Sequence, residues 1–174
     1  MRKLRMEELN RLEIEDFRKS VKLPLVLVLD NIRSLSNIGS IFRTADAFRL
    51  EGIYLCGISG RPPHREIHKT ALGATETVAW KYFEKNLDAI SELSSLGYSI
   101  VAVEQTNESL MLQTFSWPDK TALVLGNEVD GISESVIGVS DFAVEVPQSG
   151  TKHSLNVAVC AGIVCWQYYH LRLN

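Results

Sequence analysis

Apolar residues in this chain come in short unbroken runs separated by polar loops. Such runs are PLVLVLD at 24–30, GIYLCGI at 52–58, YSIVAVE at 98–104, KTALVLG at 120–126 and FAVEVP at 142–147. They lack a polar residue at every second position, which predicts strands covered on both faces. Between them the spacing becomes helical, at Asn37 to Leu50, at Asn86 to Leu96 with Gly97 as a stop, and from Ser154 onward. Strand and helix in alternation predict an α/β chain with a mostly parallel sheet and helices on both faces.

The first 23 residues fit no strand. Residues 1–22 hold seven Lys or Arg and five acids, with Met6, Leu9, Leu12, Ile14 and Phe17 recurring about every third position. This predicts a short amphipathic helix, an N-terminal arm at 1–23 beside a single domain at 24–174. No repeat, linker or low-complexity tract divides the remainder, and no additional binding domain precedes residue 24 in this reading.

Composition narrows the class. A chain of 174 residues buries about two thirds of its unfolded surface and needs no covalent staples. The cysteines, Cys56, Cys160 and Cys165, are odd in number and lie inside apolar runs, as reduced thiols in a cytoplasmic protein do. The basic N-terminal stretch lacks an apolar h-region, and no apolar run reaches about 18 residues, so neither a secretory leader nor a membrane span is expected. A net charge of -3 argues against bulk polyanion binding but leaves room for a local basic patch.

The common nucleotide signatures are missing. There is no G-x-G-x-x-G after a strand, no P-loop and no G-x-S-x-G elbow. Ser154 has only its neighbour His153 as a nearby base, which points elsewhere on a helix, so an α/β hydrolase is the weaker alternative. His64 and His68 are four residues apart, but Glu66 sits outside the H-E-x-x-H pattern, so the segment reads as a loop and no metal is expected.

Three polar segments remain, each at the carboxyl end of a predicted strand, where parallel sheets bind ligands. In DNIRSLSNIGSIFRTADAF, Asn37 reads as a helix cap and Arg43, six residues on, as a surface arginine. LVLGNEVDGIS reads as a turn closed by Gly131, with Gly126 and Glu128 inside it. VPQSGTKHSLNVAVCAGIV leads into a buried helix capped near Ser154, with Asn156 two residues on. Each has a plain structural reading alone; together, free amides and small polar side chains at one sheet edge predict a bound ligand.

In order and spacing these segments resemble the three signature motifs of the SpoU (TrmH-type) RNA ribose 2′-O-methyltransferases of the SPOUT superfamily. The resemblance covers roughly residues 24–170, and KTALGATE at 69–76 also fits. It implies a deep trefoil knot at the C-terminal end of the domain, an exception to the avoidance of threaded loops. It also implies a homodimer; the last helix, Leu155 to Trp166, is too apolar for a single buried face and is expected to pack partly on a second subunit, with a monomer core helix as the competing reading. S-adenosylmethionine is implied as cofactor, held by backbone groups at Gly126, Val146 and Leu155, with Val103, Glu104 and Gln105 on the adenosine side.

The implied catalytic set is Arg43, Asn37, Glu128, Ser154 and Asn156. A guanidinium stays protonated, so Arg43 is expected to clamp a phosphate and stabilise the developing alkoxide rather than act as base. Asn37 is expected to orient Arg43 or the ribose, and Glu128 to pair with Arg43 or take the proton. The expected RNA contacts, to tRNA or rRNA, are Arg33, Arg43, Arg61, His64, Arg65, His68 and Lys69. Gln148 departs from the methionine usual in the family after the proline. A noncatalytic RNA-binding member is the alternative, opposed by retention of all five catalytic positions.

Overall fold

The computed structural model describes residues 1–9 and 11–173, with the backbone only at Met6. The strands are β1 (Leu23–Asp30), β2 (Leu50–Cys56), β3 (Trp80–Phe83), β4 (Ser99–Val103), β5 (Leu110–Met111), β6 (Thr121–Gly126) and β7 (Phe142–Glu145). They form one sheet in the order β3-β2-β1-β6-β4-β7-β5, parallel at each pairing. The helices are α1 (Ile14–Lys19), α2 (Leu35–Ala47), α3 (Arg65–Ala71), α4 (Ala74–Thr77), α5 (Asn86–Ser95), α6 (Glu134–Ile137) and α7 (Val157–His170).

Why the runs are unbroken is visible at β1, which lies between β2 and β6. Leu25, Leu27 and Leu29 pack with Ile38, Ile41 and Phe42 of α2 and Val164 of α7. The alternate residues Val26 and Val28 face the other way, against Ala89, Ile90 and Leu93 of α5 and Val136 of α6. Side chains alternate along a strand, so helices on both faces demand apolar residues at every position. Burying each such side chain contributes about 1.5–3 kcal/mol. Tyr168 near the end of α7 is fully buried. Its hydroxyl lies 3.0 Å from the carbonyl oxygens of Pro24 and Asp119 and donates to one or the other, tying α7 to the entrances of β1 and β6.

Several boundaries differ from expectation. Helix α2 is capped by Ser34, whose hydroxyl accepts from the Asn37 amide at 3.3 Å, which frees the Asn37 side chain. Helix α7 is capped by Asn156, whose Oδ1 accepts from the amides of Ala158 and Val159 at 3.0 and 3.3 Å. Ser154 is therefore in the preceding loop and not the cap. Most of the expected loop at His64 to Lys69 is helical, with the His64 Nδ1 accepting from the Glu66 amide at 3.2 Å to start α3. The arm holds a 3-10 turn at Met6–Leu9 and the six-residue α1 instead of one helix. Phe17 is buried while Leu9, Leu12 and Ile14 stay exposed, and a short segment without a covered apolar face does not sustain a helix. The expected packing of Met6 lies outside the described residues.

Candidate active site

The carboxyl ends of β1, β4, β6 and β7 meet at one edge, and a cavity of about 570 Å³ opens there. Val103, Glu104 and Gln105 line it from the end of β4, Gly126 and Glu128 from the end of β6, and Val146 and Gln148 from the segment after β7. Ser154 and Leu155 close it from the approach to α7. A parallel sheet produces this convergence because its strands all deliver their loops to one edge.

The turn after β6 is the most tightly built wall. Asn127 and Gly131 exchange backbone hydrogen bonds at 3.2 and 3.0 Å. The Asn127 Oδ1 accepts from the amides of Val129 and Asp130, each at 2.9 Å. Gly131 sits at φ 69°, where a side chain is strained. A Cβ on Gly126 would collide with the backbone of Gly131 and Ile132, so only glycine lets the turn fold back on its own strand.

Two carboxylates then hold the returning backbone. The Ile132 amide donates to Glu104 Oε2 at 3.1 Å, and the Gln105 amide to Oε1 at 3.0 Å. The amide and hydroxyl of Ser133 both donate to Asp30 Oδ2 at 2.9 Å. Asn31 and Asn86 donate to Asp30 Oδ1 at 2.9 and 3.0 Å. Asp30 is fully buried, and these four bonds offset the cost of removing a carboxylate from water. Sequence reasoning missed Asp30 and Asn127. The signal for Asp30 was a lone acid closing an otherwise apolar strand.

At the rim, one residue from each polar segment joins a chain of side-chain hydrogen bonds. Asn37 Nδ2 donates to Glu128 Oε1 at 2.5 Å, and Asn156 Nδ2 donates to Asn37 Oδ1 at 3.2 Å. Within one chain Glu128 is thus bonded to Asn37 and not to Arg43, and Asn37 orients Glu128 rather than Arg43. Arg43 does not line the cavity. It lies exposed in a separate depression with Ser40, Lys69, Thr70, Leu72 and Gly162, between α2, α3 and α7.

The other expected RNA contacts are spread out. Arg65, His68 and Lys69 project from exposed positions of α3, and His64 caps it. Arg61 stacks its guanidinium 4.3 Å from the Tyr82 ring centroid. Arg33 faces Asp130 at 4.0 Å, both well exposed, a pairing that contributes little.

The two surfaces differ in charge. Glu104, Glu128, Asp130, Glu134 and Glu145 line the cavity, with no Lys or Arg among its lining residues. Burial, and after it the nearby Glu104 charge, pushes the Cys160 thiol in the wall up to about 11. Burial does the same to Cys56 at the end of β2, up to about 12, with Asp30 adding to it. Among the described residues no three His, Cys, Asp or Glu side chains are grouped to hold a metal, and no helix is long and apolar enough to cross a membrane.

Known proteins share this arrangement. The family described as SpoU rRNA Methylase matches residues 24–166, which includes all three polar segments. The 23S rRNA (guanosine-2'-O-)-methyltransferase RlmB of Neisseria meningitidis is 32% identical over 156 residues, covering 89% of this chain. The chain spans 62% of that relative's length. The crystal structure of the A. aeolicus TrmH/SpoU tRNA modifying enzyme superposes with a TM-score of 0.82 at 24% identity, covering 92% of this chain and 81% of the other. An AdoMet-bound rRNA methyltransferase from Sinorhizobium meliloti gives 0.81 at 25% identity, covering 90% and 62%. With a family match that spans most of the chain and a relative 32% identical over 89% of it, the chain belongs to the SpoU rRNA methylase family.

Proposed function

We propose that this chain is a cytoplasmic, homodimeric methyltransferase that moves a methyl group from S-adenosylmethionine to a ribose 2′-hydroxyl of tRNA or rRNA. The observation that carries this reading is the Asn37, Glu128 and Asn156 network at the rim of the cavity, one residue from each motif. The cavity's volume of about 570 Å³ falls within the range of small-molecule sites. Its walls suit the cofactor: Val146 and Leu155 offer apolar surface to an adenine ring, while the adjacent backbone and the ends of β4 and β6 offer polar groups.

Bound S-adenosylmethionine supplies a methyl group already activated by its sulfonium. The residues of the chain then need to position the hydroxyl and manage its proton. Glu128, fixed by Asn37, is placed to take that proton. Asn156 fixes Asn37 and starts α7, so the base and one wall of the cavity are set by the same side chain. Arg43 grips the phosphate beside the acceptor ribose and stabilises the alkoxide charge as it develops.

Two copies make these roles compatible. A polyanion is repelled by five carboxylates, so the acceptor strand needs cations from another surface. Arg43 and Lys69 provide them from the depression that also contains Gly162 of α7. Val159, Ile163 and Trp166 of α7 are 53%, 39% and 52% exposed, an apolar face that a second copy covers. The dimer brings the arginine of one copy to the cavity of its partner, and a deep trefoil knot at the C-terminal end of the domain shapes that cavity. Incubation with labelled S-adenosylmethionine and total RNA, followed by mapping of 2′-O-methyl sites, tests the reading. A discrete labelled ribose is expected; absence of both transfer and cofactor binding overturns it.

A further inference from the structure

The cavity's charge has a role beyond excluding RNA. Its lining has five carboxylates, Glu104, Glu128, Asp130, Glu134 and Glu145, against no Lys or Arg, and among the described residues only Asp130 faces a cation, Arg33 at 4.0 Å from outside the lining. Two of them are fixed: both Glu104 oxygens accept backbone amides, and Glu128 accepts from Asn37. Glu104, held through both oxygens, cannot swing away when a ligand arrives. Shelter differs along the lining: Glu104 and Glu145 are half-buried beside Val146, Leu155 and Ile132, whereas Glu128, Asp130 and Glu134 are exposed. Charges across a partly desolvated site interact several times more strongly than in bulk water.

Transfer changes the charge on the ligand. The oxygen–carbon bond forms as the sulfur–carbon bond breaks, the electron pair stays on sulfur, and the hydroxyl proton leaves to a base. The donor carries a sulfonium, an ammonium and a carboxylate, for a net single positive charge near neutral pH. The product, S-adenosylhomocysteine, has a neutral thioether and no net charge.

Resting on the function proposed above, we propose that the carboxylate lining, led by Glu104 and Glu145, is a charge filter that retains the cationic donor and releases the neutral product. Glu104 enters at the end of β4 and Glu145 at the end of β7, neighbouring strands of the sheet. The filter makes product release favourable without a moving lid. It also makes selection between donor and product depend on salt, whereas apolar contacts to adenine serve both ligands equally.

Titration calorimetry of the full chain with S-adenosylmethionine, S-adenosylhomocysteine and the cationic amine analogue sinefungin tests this. The donor and sinefungin are expected to bind about tenfold more tightly than the product at low salt, with the gap narrowing as salt rises. Glu104→Gln and Glu145→Gln should each shrink the gap severalfold, chiefly by weakening the two cations. Glu104→Gln also removes an acceptor for the Ile132 amide, and distortion alone would loosen all three ligands together. Glu145, whose side chain makes no hydrogen bond among the described residues, then decides the matter. Equal affinity for donor and product, or a gap unchanged in Glu145→Gln, overturns the filter and leaves the methyl-donor reading standing. Failure of all three ligands to bind removes both.

Discussion

The cavity beneath Gly126 and the depression around Arg43 are opposites on one chain. The first is concave, acidic and built from strand ends whose backbone is held by buried or fixed carboxylates. The second is shallow and carries Arg43 and Lys69 on helices α2 and α3. A small cation suits one and a phosphate backbone the other. The difference teaches that the chemistry is divided by charge: the site that attracts a sulfonium cannot also attract RNA. The proposed dimer would join the two halves without placing opposite charges in the same pocket of the monomer.

The sharpest way to break this division is Arg43→Ala. Methyl transfer to RNA should fall by about 100-fold or more, while calorimetry should show donor affinity changed less than about twofold, because Arg43 lines no wall of its own chain's cavity and its proposed partner is the RNA phosphate. Comparable losses in both would mean that the two surfaces are one. Gly126→Ala should do the reverse. Overpacking the turn costs about 1–3 kcal/mol, which weakens donor binding by roughly 5- to 150-fold, and RNA retention on a filter should barely change.

Next in size is Ile163→Asp on the exposed face of α7. Sedimentation velocity should show a monomer, and transfer should drop at least about tenfold with donor binding largely kept. A variant that stays dimeric and active would remove α7 from the interface. The smallest effect concerns the thiols. Cys160 is held up to about 11 by burial and Glu104, so its alkylation should be slow at pH 8, rise towards pH 11 and slow further with bound donor. The sign for stability follows from the raised value: the folded state keeps this proton longer than the unfolded chain. Its contribution is complete below the ordinary thiol value of about 8.5 and declines as pH climbs from there through about 11. Thermal melts across that range, with Cys160→Ala as the reference, measure it.

Much of this was legible in the chain. The apolar runs located β1, β2, β4, β6 and β7, most clearly where burial on both faces leaves no polar position to confuse the pattern. Edge strand β3 was missed since WKYF carries an exposed lysine and is only partly covered, and the two residues of β5 are below any periodic signal. Helix α3 hid inside a basic segment in which only Ile67 and Ala71 are buried. The six expected cofactor residues line one cavity because Val103 and Gly126 end strands, Glu104, Gln105 and Val146 follow them, and Leu155 lies on the approach to α7. What sequence could not reveal was pairing at a distance: Asp30 with Ser133, Glu104 with Ile132, and Asn37 with both Glu128 and Asn156. Local rules made Asn37 and Ser154 caps; the structure gave those tasks to Ser34 and Asn156, the latter capping α7 through Oδ1 while its Nδ2 holds Asn37.

The central position of β1 has a bearing on how the chain is made. Its ladder to β2 joins Leu23 with Leu50, but its other ladder joins Leu25 with Thr121, and Pro24 waits for Tyr168. β1 therefore leaves the ribosome long before its second partner, and its greasy second edge stays open until Thr121 to Gly126 have been made. Contacts so far apart in sequence favour slow folding, and a chaperone that shields PLVLVLD during translation would raise the yield of native protein more than one acting after release.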